Sequence, residues 1–273
     1  MKKKFGIIGS PIEHSLSPVL HNYWFKKYKI DAEYSTISIN EEKLPRIIEK
    51  IRNQELSGIN VTLPYKQKIV QFVDSLVNDA ESTNSVNTVY VNSSGLVVGE
   101  NTDVFGLQAA YLKEVDDLKN KKVLVIGAGG VSPSVILSLQ KSGVKNISII
   151  NRTIEKCKFL KQKFKELNIL EWKSLQSEIK NFNIIINATS LGLKNGDDFD
   201  FDFKETKTDL IYIDTIYNPL ETRTFKYLKD KDLRVFNGLD MFIYQGQKSF
   251  YLWNKLNPEI DQNLVELLLS KLK

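Results

Sequence analysis

The sequence predicts an α/β protein of two domains, and three observations carry that prediction. Short apolar strands alternate with amphipathic helices along the chain, the pattern of a mainly parallel sheet with helices on both faces. The alternation restarts at residue 121, in a series with its own glycine turn, Gly127-Ala128-Gly129-Gly130. The length of 273 residues corresponds to about two domains at roughly 150 residues each.

The elements are expected in the following order. Residues 4–9 form a short buried strand. Residues 18–27 form a helix, with Leu20, Tyr23, Trp24 and Lys27 near helical spacing and Pro18 at its start. Residues 32–39 alternate as a second strand, 43–53 form a helix, and 57–63 form a strand that Pro64 stops. A helix over 66–72 leads to a hairpin of 85–91 and 96–99, joined by Asn92-Ser93-Ser94-Gly95. Residues 105–114 are helical. The second series runs as strand 121–126, a helix to about 141, strand 146–150 and helix 154–167. Strands over 184–187, 210–214 and 234–236 follow, with an aspartate-rich loop at 194–202, and helices over 240–253 and 258–272 close the chain.

Composition narrows the function classes. Hydrophobic residues make up 42% and charged residues 26%, which excludes a disordered or fibrous chain. No apolar run approaches the roughly 18 residues of a membrane span, and the basic start gives way to Gly9-Ser10-Pro11 before a signal-peptide core develops. One cysteine, Cys157, forbids an intrachain disulfide, and two histidines, His14 and His21, do not make a Cys/His zinc site. A cytoplasmic, metal-free protein is expected. The net charge of +5 comes from lysines spread along the chain, a solvated surface rather than a nucleic-acid groove, and it favours anionic small substrates.

Four segments carry chemistry. The apolar run Val123-Leu124-Val125-Ile126 enters Gly127-Ala128-Gly129-Gly130 and then a helix, where a tight turn and a helix N-terminus suit a pyrophosphate. The next strand ends in Asn151-Arg152-Thr153, with no carboxylate until Glu155; Arg152 suits a 2′-phosphate, with Lys156 one turn on, so the cofactor indicated is NADP rather than NAD. In Asn60-Val61-Thr62-Leu63-Pro64-Tyr65-Lys66 a strand delivers Lys66 to the mouth of a sheet, where it is otherwise an ordinary solvated lysine. In Asn101-Thr102-Asp103 the aspartate is placed to cap the next helix or to do chemistry. Finally, Ser15 and Ser17 flank Leu16; Ser17 is placed as an N-cap, and the paired hydroxyls suit a carboxylate.

Taken in order, these segments resemble the shikimate dehydrogenase family. The resemblance runs from Gly9-Ser10-Pro11 and His14-Ser15-Leu16-Ser17-Pro18 with His21-Asn22, through Asn60-Val61-Thr62, Val86-Asn87-Thr88 and Asn101-Thr102-Asp103, to the glycine turn. It continues through Asn187-Ala188-Thr189-Ser190, Asp214 with Tyr217-Asn218-Pro219, and Asn237-Gly238, Met241, Gln245 and Gln247. It implies reversible NADPH reduction of 3-dehydroshikimate to shikimate, with Lys66 and Asp103 as the catalytic pair. It implies that Ser15 and Ser17 hold the substrate carboxylate, that Thr62, Lys66, Asn87, Asp103 and Gln245 hold ring hydroxyls, and that Tyr217 lies beside them. Gly127, Ala128, Gly129, Gly130, Val131, Asn151, Arg152, Thr153 and Lys156 would bind NADP, with Thr215, Gly238 and Met241 near the nicotinamide. The implied domains are 1–103 plus 237–273 for substrate and catalysis, and 104–236, Rossmann-like, for NADP, with the C-terminal helices returning to the first. A monomer or a homodimer fits the family.

The sequence departs from the family pattern in places. Val131 follows the glycines where alanine is usual, Pro133 enters the helix's first turn, Asn84-Ser85 stand where Gly-Ala is frequent, and Lys156 replaces a common arginine. Two alternatives remain at this level: a quinate/shikimate dehydrogenase of broader specificity, and a non-catalytic NADP-binding sensor.

Overall fold

The structure, a computed structural model, describes residues 2–194 and 196–272. Residues 1 and 273, which bound the expected domains, and Asn195 of the expected 194–202 loop lie outside the described residues. The chain divides into two compact units, Met1–Gly106 with Ile243–Lys271, and Leu107–Phe242 with Leu272–Lys273.

The first unit opens with β1 (Lys3–Gly9), α1 (Ser17–Lys27), β2 (Ala32–Ser38), α2 (Leu44–Arg52) and β3 (Gly58–Val61). The α2 segment is helical because Leu44, Ile47, Ile48 and Ile51 recur on one face and are buried there, with Pro45 tolerated in the first turn. After β4 (Ser75–Leu76) and α3 (Asp79–Thr83), the hairpin of β5 (Thr88–Val91) and β6 (Val97–Glu100) leads into α4 (Asp103–Ala110).

The six strands are ordered β2-β1-β3-β5-β6-β4. β1 pairs parallel to both neighbours, whereas β5 is antiparallel to β3 and to β6. The sheet is mainly parallel, as expected, since β4 also runs parallel to β6; only the two pairings of β5 are antiparallel, and the one with β6 follows from the short hairpin connection. The segment after Lys66 is a 3₁₀ turn over Lys68–Phe72 rather than a helix from 66, and β4 and α3 were not foreseen because each spans only a few residues.

The second unit is a six-stranded parallel sheet, built from β7 (Lys122–Ile126), α5 (Ser132–Lys141), β8 (Asn146–Ile150), α6 (Ile154–Lys163) and β9 (Asn168–Leu170). Then come α7 (Leu175–Glu178), β10 (Ile184–Asn187), β11 (Ile211–Asp214), α8 (Arg223–Lys229) and β12 (Arg234–Phe236). The order β12-β11-β10-β7-β8-β9 reverses direction between β7 and β10, the doubly wound arrangement whose ligands sit outside the carboxyl ends of the strands at that switch point. Separate apolar clusters cover the two faces, one around Val123, Val125, Ile149 and Ile186, the other around Leu124, Ile126, Ile185 and Tyr212. Alternate residues of one buried strand thus serve opposite cores. The expected helix 154–167 ends at Lys163, and residues 168–170 add the edge strand β9.

The chain ends in α9 (Leu239–Asn254) and α10 (Gln262–Leu269). The expected start of the last helix at 258 is corrected: Asp261 is its N-cap, accepting the Leu264 N–H at 2.8 Å, and residues 258–260 precede it. This end of the chain packs on α1, where the Tyr23 hydroxyl donates to Asp261 and Trp24 Nε1 to the Glu259 carbonyl.

Candidate active site

Both groups of sequence-marked residues in the first unit sit at the ends of strands. Gly9, at the end of β1, packs so closely against the residue after β3 that a Cβ there would lie 2.5 Å from Thr62 Cγ2. The Ser10 N–H donates to the Leu63 carbonyl at 3.1 Å, so the loop carrying Ser15 and Ser17 is tied to the one carrying Thr62 and Lys66. The capping roles of the two serines differ from expectation. Ser17 is the first residue of α1 and caps nothing; it is Ser15 whose Oγ accepts the Ser17 N–H, at 3.2 Å. Ser17 is buried and Ser15 half-buried.

Lys66 and Asp103 meet. Lys66 Nζ lies 2.6 Å from Asp103 Oδ2, and the side chains are only 13% and 6% exposed. Asp103 opens α4, but its carboxylate faces Lys66 and Asn87, and the Asp103 N–H is taken by Asn101 Oδ1 at 3.1 Å. Asn87 Nδ2 donates to Asp103 Oδ1 at 2.8 Å, and Gln245 Oε1 on α9 lies 3.4 Å from the same nitrogen. Lys66, Asp103, Asn87 and Gln245 therefore form one cluster from four segments distant in sequence. Such a carboxylate, holding an ammonium on one oxygen and an amide on the other, fixes where the ammonium points.

In the second unit the glycine turn closes on itself. Gly127 adopts φ +112°, and a Cβ there would lie 2.7 Å from the Ala188 carbonyl oxygen just beyond β10, so only glycine fits. Ser132 braces the turn: its hydroxyl donates to the Gly127 carbonyl and accepts the Gly129 N–H, both at 3.0 Å. The α5 N-terminus carries no side-chain cap. The Ser132 N–H bonds to the Gly129 carbonyl at 3.2 Å, the Ser134 and Val135 N–H groups to that of Val131 at 3.0 and 3.1 Å, and Pro133 has none, so what the helix offers an anion is the positive end of its dipole. Asn151 Oδ1 accepts the Ala128 N–H at 3.2 Å, joining the end of β8 to the turn, and Asn151 Nδ2 donates to the Thr153 carbonyl. Arg152 and Lys156 are exposed beside it. Val131 packs against the apolar core.

Thr215 and Gly238 are also brought together, since a Cβ on Gly238 would lie 2.4 Å from the Thr215 carbonyl oxygen. Met241 is buried in the core of this unit, and Tyr217 stacks on Phe242 with ring centroids 4.6 Å apart. Asp214 is a buried hub. It accepts from Asn187 Nδ2 at 3.1 Å, the Ile216 N–H at 3.0 Å and the Thr222 hydroxyl at 2.8 Å. Burial pushes its carboxyl up to about 6, against the opposing pull of those hydrogen bonds. Asn187 in turn holds the Thr189 N–H and hydroxyl, so the loop against Gly127 is anchored to Asp214.

Comparison with known proteins decides the family. The model of the shikimate dehydrogenase substrate binding domain matches residues 7–89, and that of shikimate / quinate 5-dehydrogenase matches residues 109–195. A shikimate dehydrogenase (NADP(+)) of Pelagibacter ubique is 42% identical over 268 residues, covering 98% of this chain and 99% of that one. The chain belongs to the shikimate dehydrogenase family. Among solved structures of the family, shikimate dehydrogenase from Aquifex aeolicus is similar at 35% identity and a TM-score of 0.89, over 98% of this chain and 97% of that one. The Thermus thermophilus enzyme in complex with NADP(H) and shikimate is similar at 28% identity and a TM-score of 0.88, over 99% and 100%.

In this family member several structurally central residues carried no assigned role at the level of sequence. Ser132, Asn187 and Asp214 brace the glycine turn and its neighbour, and Asn60, Thr88, Thr102 and Ser249 are buried beneath the Lys66–Asp103 pair. Asn60, Thr88, Thr102, Asn187 and Asp214 lie in the quoted motifs. Ser249 had only one signal, a small polar residue one helical turn after Gln245 in an aromatic stretch.

Among the described residues no helix is long and apolar enough to cross a membrane.

Proposed function

We propose that this chain catalyses the reversible NADPH-dependent reduction of 3-dehydroshikimate to shikimate, the reaction of aromatic amino-acid biosynthesis. The observation that carries the reading is the Lys66–Asp103 pair, 2.6 Å apart and nearly buried, with Asn87 and Gln245 against it.

The chemistry needs such a pair. Bound NADPH supplies a hydride to the carbonyl carbon. The carbonyl oxygen of 3-dehydroshikimate then gathers negative charge, which the Lys66 ammonium stabilises and protonates at Nζ. In the reverse direction the pair takes the hydroxyl proton back. Asp103 Oδ2 holds Nζ in place, and Asn87 holds Asp103 Oδ1. Thr62, Asn87 and Gln245 hold the ring hydroxyls, Ser15 and Ser17 the carboxylate, and Tyr217 completes the substrate contacts.

The residues of the second unit fit NADP, since a cradle that admits only glycine at Gly127, set at the positive end of α5, suits a pyrophosphate. Gly127, Ala128, Gly129, Gly130 and Val131 would line it. Asn151, Arg152, Thr153 and Lys156 would take the adenosine side, where two exposed cations suit a 2′-phosphate. Thr215, Gly238 and Met241 would lie by the nicotinamide. On this reading the domain of 1–103 plus 237–273 serves substrate and that of 104–236 serves NADP. The single, buried cysteine supports a cytoplasmic setting, with the protein acting as a monomer or a homodimer.

One spectrophotometric assay tests the reading: shikimate and quinate, each with NADP and NAD, followed at the reduced-nicotinamide band. Turnover should be fastest with shikimate and NADP. Comparable rates with quinate point to the broader enzyme, and no turnover with any pair leaves only a binding protein.

A further inference from the structure

Beneath the Lys66–Asp103 pair lies a closed set of buried polar side chains: Asn60 on β3, Asn87 and Thr88 at the start of β5, Thr102 before α4, and Ser249 on α9. All are at most 4% exposed. The orientation of Asn87 follows from its neighbours. The Thr102 N–H, 2.8 Å away, can only donate, so it faces Asn87 Oδ1. The two hydrogens on Nδ2 are then directed at Asp103 Oδ1, 2.8 Å, and Thr102 Oγ1, 2.9 Å.

The hydroxyl hydrogens complete the count. Thr102 Oγ1 accepts from Asn87, so its own hydrogen goes to Asn87 Oδ1 or to Ser249 Oγ, both at 3.1 Å. The Thr88 hydrogen has the same two acceptors, Asn87 Oδ1 at 3.1 Å or Ser249 Oγ at 2.8 Å, and a longer third one, Thr102 Oγ1 at 3.4 Å. Asn87 Oδ1 has one lone pair left, so it cannot serve both. The Ser249 hydrogen is committed to the Gln245 carbonyl, 3.0 Å away and one turn earlier on α9, which makes Ser249 an acceptor towards the set. Asn60 Nδ2, 3.1 Å from Ser249 Oγ, is oriented by the Tyr34 hydroxyl, which donates to Asn60 Oδ1 at 2.8 Å.

We propose that Ser249 is a positioning residue for the reaction. It takes the Thr88 hydrogen that would otherwise compete for Asn87 Oδ1, and so keeps the Asn87 amide directed at Asp103. The proposal rests on the reading of Lys66 and Asp103 as the reacting pair. Without the Ser249 oxygen, the two buried hydroxyl hydrogens are left with one lone pair of Asn87 Oδ1 and the long Thr88–Thr102 contact of 3.4 Å, and the set relaxes by drawing Asn87 off Asp103.

The test compares Ser249→Ala, Thr88→Val and the double variant Ser249→Ala/Thr88→Val with the unsubstituted chain, using shikimate and NADP. A small misplacement of reacting groups costs up to about 10²-fold, and here we expect Ser249→Ala to lower kcat about tenfold with the KM for NADP unchanged, while Thr88→Val, which deletes the competing hydrogen, holds kcat within about twofold. In the double variant only the Thr102 hydrogen is left for the Asn87 Oδ1 lone pair, so kcat should recover to within about twofold of the unsubstituted chain. A merely structural role predicts lower melting temperatures but wild-type kcat in the folded protein for all three, and that result overturns the proposal while leaving the reaction standing. If Ser249→Ala does not fold, Ser249→Cys, whose sulfur is only a weak acceptor, takes its place, and wild-type kcat there overturns the proposal. If the unsubstituted chain fails to oxidise shikimate, the reading of the pair falls and the proposal falls with it.

Discussion

Lys66 Nζ and Asp103 Oδ2 stand 2.6 Å apart although 36 residues separate the two in sequence, and both side chains are almost withdrawn from solvent. At this burial the pair is held by more than its own attraction, because desolvating two charges offsets much of what they gain from each other. Asn87 supplies the extra hydrogen bond to the second carboxylate oxygen.

Lys66→Ala removes the proposed proton donor and the stabilising charge together. The expected kcat falls by roughly 10²–10⁴-fold, the range typical of a lost general acid, with a much smaller change in KM. Steady-state kinetics on folded variant, checked by circular dichroism, measures this, and near-wild-type kcat would refute the assignment of Lys66.

Arg152→Asp places a carboxylate at the end of β8, where a ribose 2′-hydroxyl is favoured and a 2′-phosphate repelled. NADPH binding should weaken far more than NADH binding, as read by nucleotide fluorescence titration. Equal losses for the two nucleotides would take Arg152 away from the 2′-phosphate.

Gly127→Ala puts a Cβ 2.7 Å from the Ala188 carbonyl oxygen at φ +112°, where backbone must move to admit it. A strained backbone of this kind costs on the order of 1–3 kcal/mol. Lower thermal stability together with weaker NADP(H) binding is expected; a variant that melts and binds as the wild type does would show that the turn is freer than its packing indicates.

His21 is fully buried, stacked on Tyr34 at 4.5 Å between ring centroids, and neither ring nitrogen has a hydrogen-bond partner among the described residues. Burial pushes its imidazole down to about 3 from 6.5, against an opposing pull from Asn60. The unfolded chain therefore binds a proton that the folded chain refuses between those two values. Stability is full above about pH 6.5 and falls by up to about 1.4 kcal/mol per pH unit as the pH drops towards 3. His21→Phe keeps a stacked ring and should flatten this acid slope in urea unfolding between pH 6.5 and 4. An unchanged slope would assign the acid sensitivity to other groups.

Much of the architecture was legible because it rests on local signals. The strand–glycine–helix passage from Val123 into α5 and the period of Ile47, Ile48 and Ile51 are each decided within a few residues. Short elements were not: β4, α3 and β9 span two, five and three residues, too few for any period to register. The hairpin of β5 and β6 was legible in its turn, but the antiparallel pairing of β5 with β3 was hidden, since partners distant in sequence are set by what packs across the sheet.

By itself the chain's order of residues determined the alternation of strands and helices, its restart in a second series with a glycine turn, and the presence of Lys66, Asp103 and Arg152 in familiar surroundings. Those are properties of neighbours along the chain, where backbone preference and side-chain period act. Only the tertiary structure decided that Ser15 rather than Ser17 receives the N–H at the start of α1, and that Asp103 turns to Lys66 instead of capping its helix. It alone revealed Ser249 beneath the pair. A hydroxyl or carboxylate takes whichever partner the fold brings within reach of its few lone pairs, and distance in space is the one thing a linear sequence does not record.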